Sequence, residues 1–156
     1  MRTLLRPALS LFAALTLLTG VVYPLTVTGL GQLLFPHAAN GSIVTLGGKA
    51  VGSALIGQPF ASPAYFWGRP SATAPHPYNA AASAGSNLGP LNPALTAAVE
   101  ARIAALKTVD PANLRSVPID LVTASASGLD PDISLAAAYY QAARVARARN
   151  LEQSLV

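Results

Sequence analysis

The stretch PALSLFAALTLLTGVVYPLTVTGLGQLLF, residues 7–35, decides the architecture. It contains no Asp, Glu, Lys or Arg over 29 residues. A helix needs about 20 apolar residues to cross the hydrocarbon core of a bilayer. The apolar part of a secretory signal takes only about 7–15, and no clear Ala-x-Ala cleavage pattern follows. Residues 7–35 therefore read as a transmembrane helix, with a cleaved signal or a buried core helix as the weaker alternatives. Arg2 and Arg6 precede the run, and the next cation is Lys49. Positive flanks stay on the cytoplasmic side. This predicts residues 1–6 inside the cell and residues 36–156 outside, as an extracytoplasmic domain at a bacterial inner membrane.

Within the span, Pro24 lacks an amide proton and should disturb the helix. Thr16, Gly20, Pro24 and Thr28 recur at intervals of four. Small residues on one face allow close approach of another helix, so this stripe is a candidate contact with a partner's membrane helix. Chance in a Thr-, Ala- and Gly-rich segment explains it about as well.

Outward from the span, the composition narrows the function. Charged residues make up 10% of the 156, against roughly 25% in an ordinary soluble domain. Hydrophobic residues make up 52%, which excludes a disordered chain. The net charge of +4 is divided, +2 before the span and +2 after it, with no aromatic-interleaved basic stripe. Nucleic acid is thus not an expected partner; membrane lipid is. There is no cysteine, so disulfides, thiolate catalysis and Cys-based metal sites are excluded.

Residues 36–92 read as strands and turns. Ile43–Leu46, Ser53–Gln58 and Tyr65–Trp67 are strand candidates, and Asn40-Gly41-Ser42 and Gly47-Gly48 are turns. Between Pro70 and Pro93 the chain reads as a long irregular loop. Asn92 is a helix cap with Pro93 in the first helical position. Leu95, Val99, Ile103 and Leu106 then form one apolar face to about Lys107, and Asp110-Pro111 ends the helix. Val117, Ile119 and Leu121 alternate as in a strand that begins at Pro118 or lies at an edge. A second helix is expected from Asp130, as cap, and Pro131 to about Asn150. Asp132 would sit in its first turn, and Arg144, Arg147 and Arg149 would complement its dipole near the end. The expected fold is a single membrane helix followed by a small α/β (α+β) domain.

Candidate chemistry is sparse. His37 and His76 have no second ligand at a metal-site spacing, and there is no Gly-x-Ser-x-Gly elbow. Ser127 near Asp130 suits turn formation and capping better than catalysis. Asp130 and Asp132 are too close in sequence to face each other across a substrate. Gly52 to Gly57 lacks the Gly-Lys-Ser/Thr of a phosphate loop. The chain reads as non-catalytic by itself.

Several stretches together resemble one family. They are Leu18-Thr19-Gly20 with Tyr23-Pro24, Asn40-Gly41-Ser42, Gly52-Ser53-Ala54-Leu55-Ile56-Gly57-Gln58, Tyr65-Phe66-Trp67-Gly68-Arg69-Pro70-Ser71 and Gly85-Ser86-Asn87-Leu88-Gly89. The most specific is Ser125-Ala126-Ser127-Gly128-Leu129-Asp130-Pro131-Asp132-Ile133-Ser134, followed by Gln141 and Arg144-Val145-Ala146. In family order and over nearly the whole chain, they resemble the C subunit of the Kdp potassium-transporting P-type ATPase. Trp67 and Asp132 are modest departures.

The resemblance implies an accessory subunit of an ATP-driven potassium importer. Its partners would be a channel-like ion-conducting subunit, a phosphorylated P-type ATPase subunit and a small single-span peptide. It also implies a catalytic-chaperone role that raises the pump's ATP affinity, with Gln141 as a candidate nucleotide contact. No cofactor is expected to bind firmly; ATP would come through the partner subunit. An extracytoplasmic domain cannot reach cytoplasmic ATP, so an indirect role for the domain, and a buried hydrogen bond for Gln141, fit the topology better. A membrane-anchored binding or scaffolding module outside any pump is the alternative class.

Overall fold

A computed structural model describes residues 2–156; Met1 and the side chains of Arg2 and Thr3, part of the expected cytoplasmic flank, lie outside the described residues. The chain divides after Ser53 into two units.

The first unit carries the apolar run. Helix α1 (Arg2–Leu17) passes through a π-helical turn at Leu18–Val22 into α2 (Tyr23–Leu34). Together they provide one helix, Leu4–Leu34, long and apolar enough to cross a membrane. The disturbance expected at Pro24 takes the form of that π turn. Pro24 has no N–H for the Gly20 carbonyl, and its ring crowds that oxygen in a regular α-helix. The backbone widens just before it, and the Tyr23 N–H donates five residues back to Leu18 O. Hydroxyls on the helix are satisfied locally: Thr19 donates to Leu15 O and Thr26 to Val22 O, both at 2.8 Å. That removes the cost of an unpaired polar group in an apolar medium.

The short α3 (Pro36–Ala39) continues from the helix, and an amide pair ties the two: Asn40 Nδ2 donates to Gln32 Oε1 at 3.1 Å. A hairpin follows. Strand β1 (Ile43–Leu46) pairs antiparallel with β2 (Lys49–Ser53) around Gly47-Gly48, with an irregular register between Val44 and Thr45. Both glycines have positive φ, as a tight hairpin turn requires.

The second unit, Ala54–Val156, contains α4 (Pro93–Val109), α5 (Leu135–Arg149) and long irregular segments. Helix α4 starts as expected, with Asn92 Oδ1 accepting from Ala94 N at 3.0 Å and Pro93 first in the helix. It ends at Asp110, whose N–H bonds Leu106 O. Leu106, Leu121, Val122, Ala137 and Tyr140 form the core, with Val99, Ile103, Val117, Ile133 and Trp67 packed against it. A leucine- or valine-sized side chain contributes about 1.5–3 kcal/mol on full burial.

Four expectations are corrected. Ser53–Gln58 is not a strand: β2 ends at Ser53, and Gly57 N bonds instead to Leu129 O at 2.9 Å. Tyr65–Trp67 is not one either, because side chains of α5 take the backbone groups a neighbouring strand would have taken. The Val117–Val122 segment forms a 3-10 turn at Ile119–Leu121, which closes its own hydrogen bonds, Leu121 N to Pro118 O and Val122 N to Ile119 O. Finally, α5 begins at Leu135 under a Ser134 cap, not at Asp130 and Pro131. Ser134 Oγ accepts from Ala137 N at 3.0 Å, while the Asp130 carboxylate is already committed to Arg69 and to the Asp132 N–H.

Candidate functional site

Two polar centres organise the second unit. The first is buried in α5. Gln141 is 1% exposed. Its Oε1 accepts from Trp67 N at 2.9 Å and from Arg144 Nη2 at 2.6 Å. Its Nε2 donates to Trp67 O at 3.1 Å and to Ala137 O at 3.2 Å. A side-chain amide has two donor hydrogens and two acceptor lone pairs, and all four are in use. Gln141 thus meets Trp67 as a neighbouring β-strand would, through both its N–H and its C=O.

Arg144 completes this centre. Although a cluster of cations near a helix end suggests dipole compensation, Arg144 points inward and is buried. It donates to Pro63 O at 2.5 Å and Tyr65 O at 3.2 Å, and its guanidinium lies 5.1 Å from the Trp67 ring centroid. Burial lowers its pKa, Asp110 opposes that shift, and Arg147 adds to it. Only Arg147 and Arg149 occupy the last turn of α5. Arg147 pairs with the Asp110 carboxylate, and Arg149 Nε donates to Ala64 O at 2.7 Å.

The second centre is the segment Thr123–Pro131, onto which distant loops converge. Ser125 N donates to Pro70 O at 3.3 Å. Ser71 Oγ donates to Gly128 O at 2.6 Å and Ser83 Oγ to Ser127 O at 3.0 Å. Ser127 Oγ accepts from Leu129 N at 3.2 Å, a local turn. Arg69 binds Thr123 O and the Asp130 carboxylate, each at 3.3 Å. Pro131 lies in the irregular connection to α5. Gly128 has φ +68°, and a Cβ there would meet Thr73 Cγ2 at 2.6 Å and Ala84 O at 2.7 Å. Only glycine fits both the backbone and the space. At Gly57 a Cβ would meet the Tyr78 ring and, at 2.7 Å, Asp130 O.

Tyr78 locks this centre. It adopts φ +56°, uncommon for a bulky residue. Its N–H donates to Ser71 Oγ at 2.9 Å and its hydroxyl to Arg69 O at 2.6 Å. Burial, reinforced by the Asp130 charge, raises its pKa above the ordinary phenol value. Between Pro70 and Pro93, then, the irregular loop is pinned to its own chain.

The other residues singled out from sequence stand apart. Thr16, Gly20, Pro24 and Thr28 lie on the apolar helix, and a Cβ at Gly20 would meet nothing within 4 Å. A four-residue repeat winds slowly around a 3.6-residue helix; the wider π turn around Gly20 slows that winding. His37 is exposed on α3, and His76 Nδ1 lies 3.2 Å from Pro77 O. Among the described residues, no three His, Cys, Asp or Glu side chains converge. Trp67, Arg69, Ser71 and Tyr78 were not foreseen as site residues. The available signal was charge scarcity: in a domain with so few ions, each arginine is a candidate partner for backbone carbonyls left unpaired by irregular structure.

These features define a class, a small α/β chain with one membrane-length helix at its N-terminus and a domain held by buried polar staples. Comparison with known proteins makes the class particular. Residues 5–156 match the family described as KdpC: K+-transporting ATPase, c chain. The chain is 67% identical over 156 residues to the potassium-transporting ATPase KdpC subunit of Methylibium petroleiphilum, covering 100% of this chain and 82% of that protein. It is 68% identical over 151 residues to that of Variovorax paradoxus, with 97% and 78% covered. For Polaromonas naphthalenivorans the identity is 69% over 151 residues, with 97% and 77% covered. The chain belongs to the KdpC family.

Proposed function

We propose that this chain is the accessory, non-catalytic subunit of an ATP-driven potassium importer. Residues 4–34 anchor it in the cell membrane with the N-terminus inside and the second unit outside. The observation that carries this reading is the family match, which runs unbroken from the membrane-length helix through α5. Its partners are the ion-conducting channel-like subunit, the phosphorylated P-type ATPase subunit and a small single-span peptide. The span docks laterally through the Thr16, Gly20, Pro24 and Thr28 face. The outer domain packs on the potassium-conducting subunit and favours one conformation of the assembly. A subunit that binds one state of its partners better than another shifts their equilibrium, and with it their apparent affinities. The catalytic-chaperone effect on ATP is of this indirect kind. The full set of bonds around Gln141 supports that route, because a nucleotide contact would have to displace Trp67 or Arg144.

Complementation tests the reading. In a strain lacking this chain, growth on limiting potassium should return with the full chain and fail with residues 54–156 deleted. Normal potassium uptake by the truncated chain would refute the role given to the domain. A full chain that purifies from mild detergent alone, while the other subunits purify as a complex, would favour an anchored module outside the pump.

A further inference from the structure

One face of the second unit is apolar and exposed, with cations along its Leu114 side. Leu114 is 95% exposed, Leu135 77%, Ile119 72% and Tyr139 67%. Leu114 and Tyr139 line one recess together. Arg115, which lines the same recess, donates from Nη1 to Tyr139 O at 3.3 Å. Ser134 N donates to Asp120 Oδ2 at 3.0 Å, which ties the chain just before Leu135 to the residue after Ile119. Leu135 and Tyr139 are four apart on α5 and share a face. Exposed apolar residues scattered singly are ordinary, but a contiguous set with a polar rim marks an interaction surface.

The rim states what kind of partner fits. Leu114 and Arg115 line two adjoining recesses of about 450 and 560 Å³. Arg147 lines the first and Lys107 the second. The one carboxylate lining them, Asp110, is 5% exposed at its side chain and already paired with Arg147. The recesses therefore carry a net positive charge beside an apolar ridge. A lipid surface would satisfy the cations, but it would not fill two separate recesses on either side of a single leucine. We propose that this face docks a carboxylate-bearing apolar segment of another subunit of the complex, with Leu114, Ile119, Leu135 and Tyr139 as the apolar contact and Lys107 and Arg115 as the charge contact. The proposal rests on the reading of this chain as a complex subunit.

The test uses the full chain co-expressed with the other subunits and purified in mild detergent. Leu114→Glu/Leu135→Glu changes two exposed positions. It should lower the amount of chain recovered with the complex about tenfold, with an unchanged unfolding temperature for the chain alone. Lys107→Glu should also weaken recovery and remove part of its salt sensitivity. If the unmodified chain is not recovered with the other subunits, the subunit reading itself fails. If it is recovered and both variants match it, only the docking face is overturned. An effect of the leucine variant without one of Lys107→Glu would overturn the acidic character of the partner. Loss of binding to anionic lipid vesicles, or of self-association, with normal recovery in the complex would overturn the proposal in favour of a membrane or a second copy.

Discussion

Gln141 shows how one side chain can stand in for secondary structure. Its amide holds Trp67 by both backbone groups and orders Arg144, which in turn holds Pro63 and Tyr65. Gln141→Leu keeps the volume but leaves the Trp67 N–H and C=O unpaired and removes a partner from a buried guanidinium. Each orphaned buried group costs about 1–3 kcal/mol. The expected loss is therefore about 3 kcal/mol or more, read by urea unfolding of the full chain in detergent. A wild-type unfolding curve together with a large fall in the pump's ATP affinity would instead assign Gln141 to nucleotide binding. The buried hydrogen bond expected of Gln141 is present, but its partner Trp67 was not legible from spacing, because the two residues are 74 positions apart. The cap at Asn92 was legible, since it acts on the next two residues.

At the scale of elements, the membrane-length helix and α4 match their sequence patterns because both depend on short-range rules: an uninterrupted apolar run, and a cap followed by a four-four-three apolar face. The start of α5 departs from its sequence pattern for a reason equally local in appearance. Asp130-Pro131 is a good helix start in isolation, but Arg69 takes the Asp130 carboxylate, and Ser134 caps four residues later. The π turn adds a testable point about the span. A side chain at Gly20 would meet nothing in its own chain, so Gly20→Leu should leave the isolated helix intact. If the Thr16–Gly20–Thr28 face packs on a partner helix, the same change should reduce recovery of the complex about tenfold. Recovery equal to wild type would dismiss that face as a contact.

For the molecule as a whole, low charge density proves to be a matter of use as well as number. Residues 36–156 hold 14 charged side chains among 121 residues, still about half the ordinary share. In the second unit Arg69, Arg102, Arg115, Arg144 and Arg149 each donate to a backbone carbonyl. They act as staples for a domain with little regular structure. Two tyrosines give this arrangement a pH signature. Burial, then the charge of Asp130, raises the pKa of Tyr78; burial, then the charge of Asp110, raises that of Tyr140. An acid whose folded pKa lies above its unfolded value stabilises the fold below the unfolded value, near 10, and loses that contribution as pH rises through the folded one. Stability should thus be flat from neutral pH to about 10 and fall above it. Tyr78→Phe should make the fall shallower, while costing on the order of 1 kcal/mol at neutral pH through the lost bond to Arg69 O. A fall of unchanged steepness in the variant would remove Tyr78 from the explanation.

The amino-acid sequence by itself determined the membrane-length helix, the Gly47-Gly48 hairpin turn, the start of α4 and the family. Each of these rests on neighbouring residues or on the order of motifs along the chain. Only the tertiary structure decided what Thr123–Pro131 does and which groups Gln141 holds. The segment gathers loops from Gly57 to Ser83, and the amide replaces a missing strand. The physical reason is that irregular backbone must still satisfy its hydrogen bonds when buried. Where no ladder exists, the partners come from side chains far away in sequence, and only folding brings them within reach.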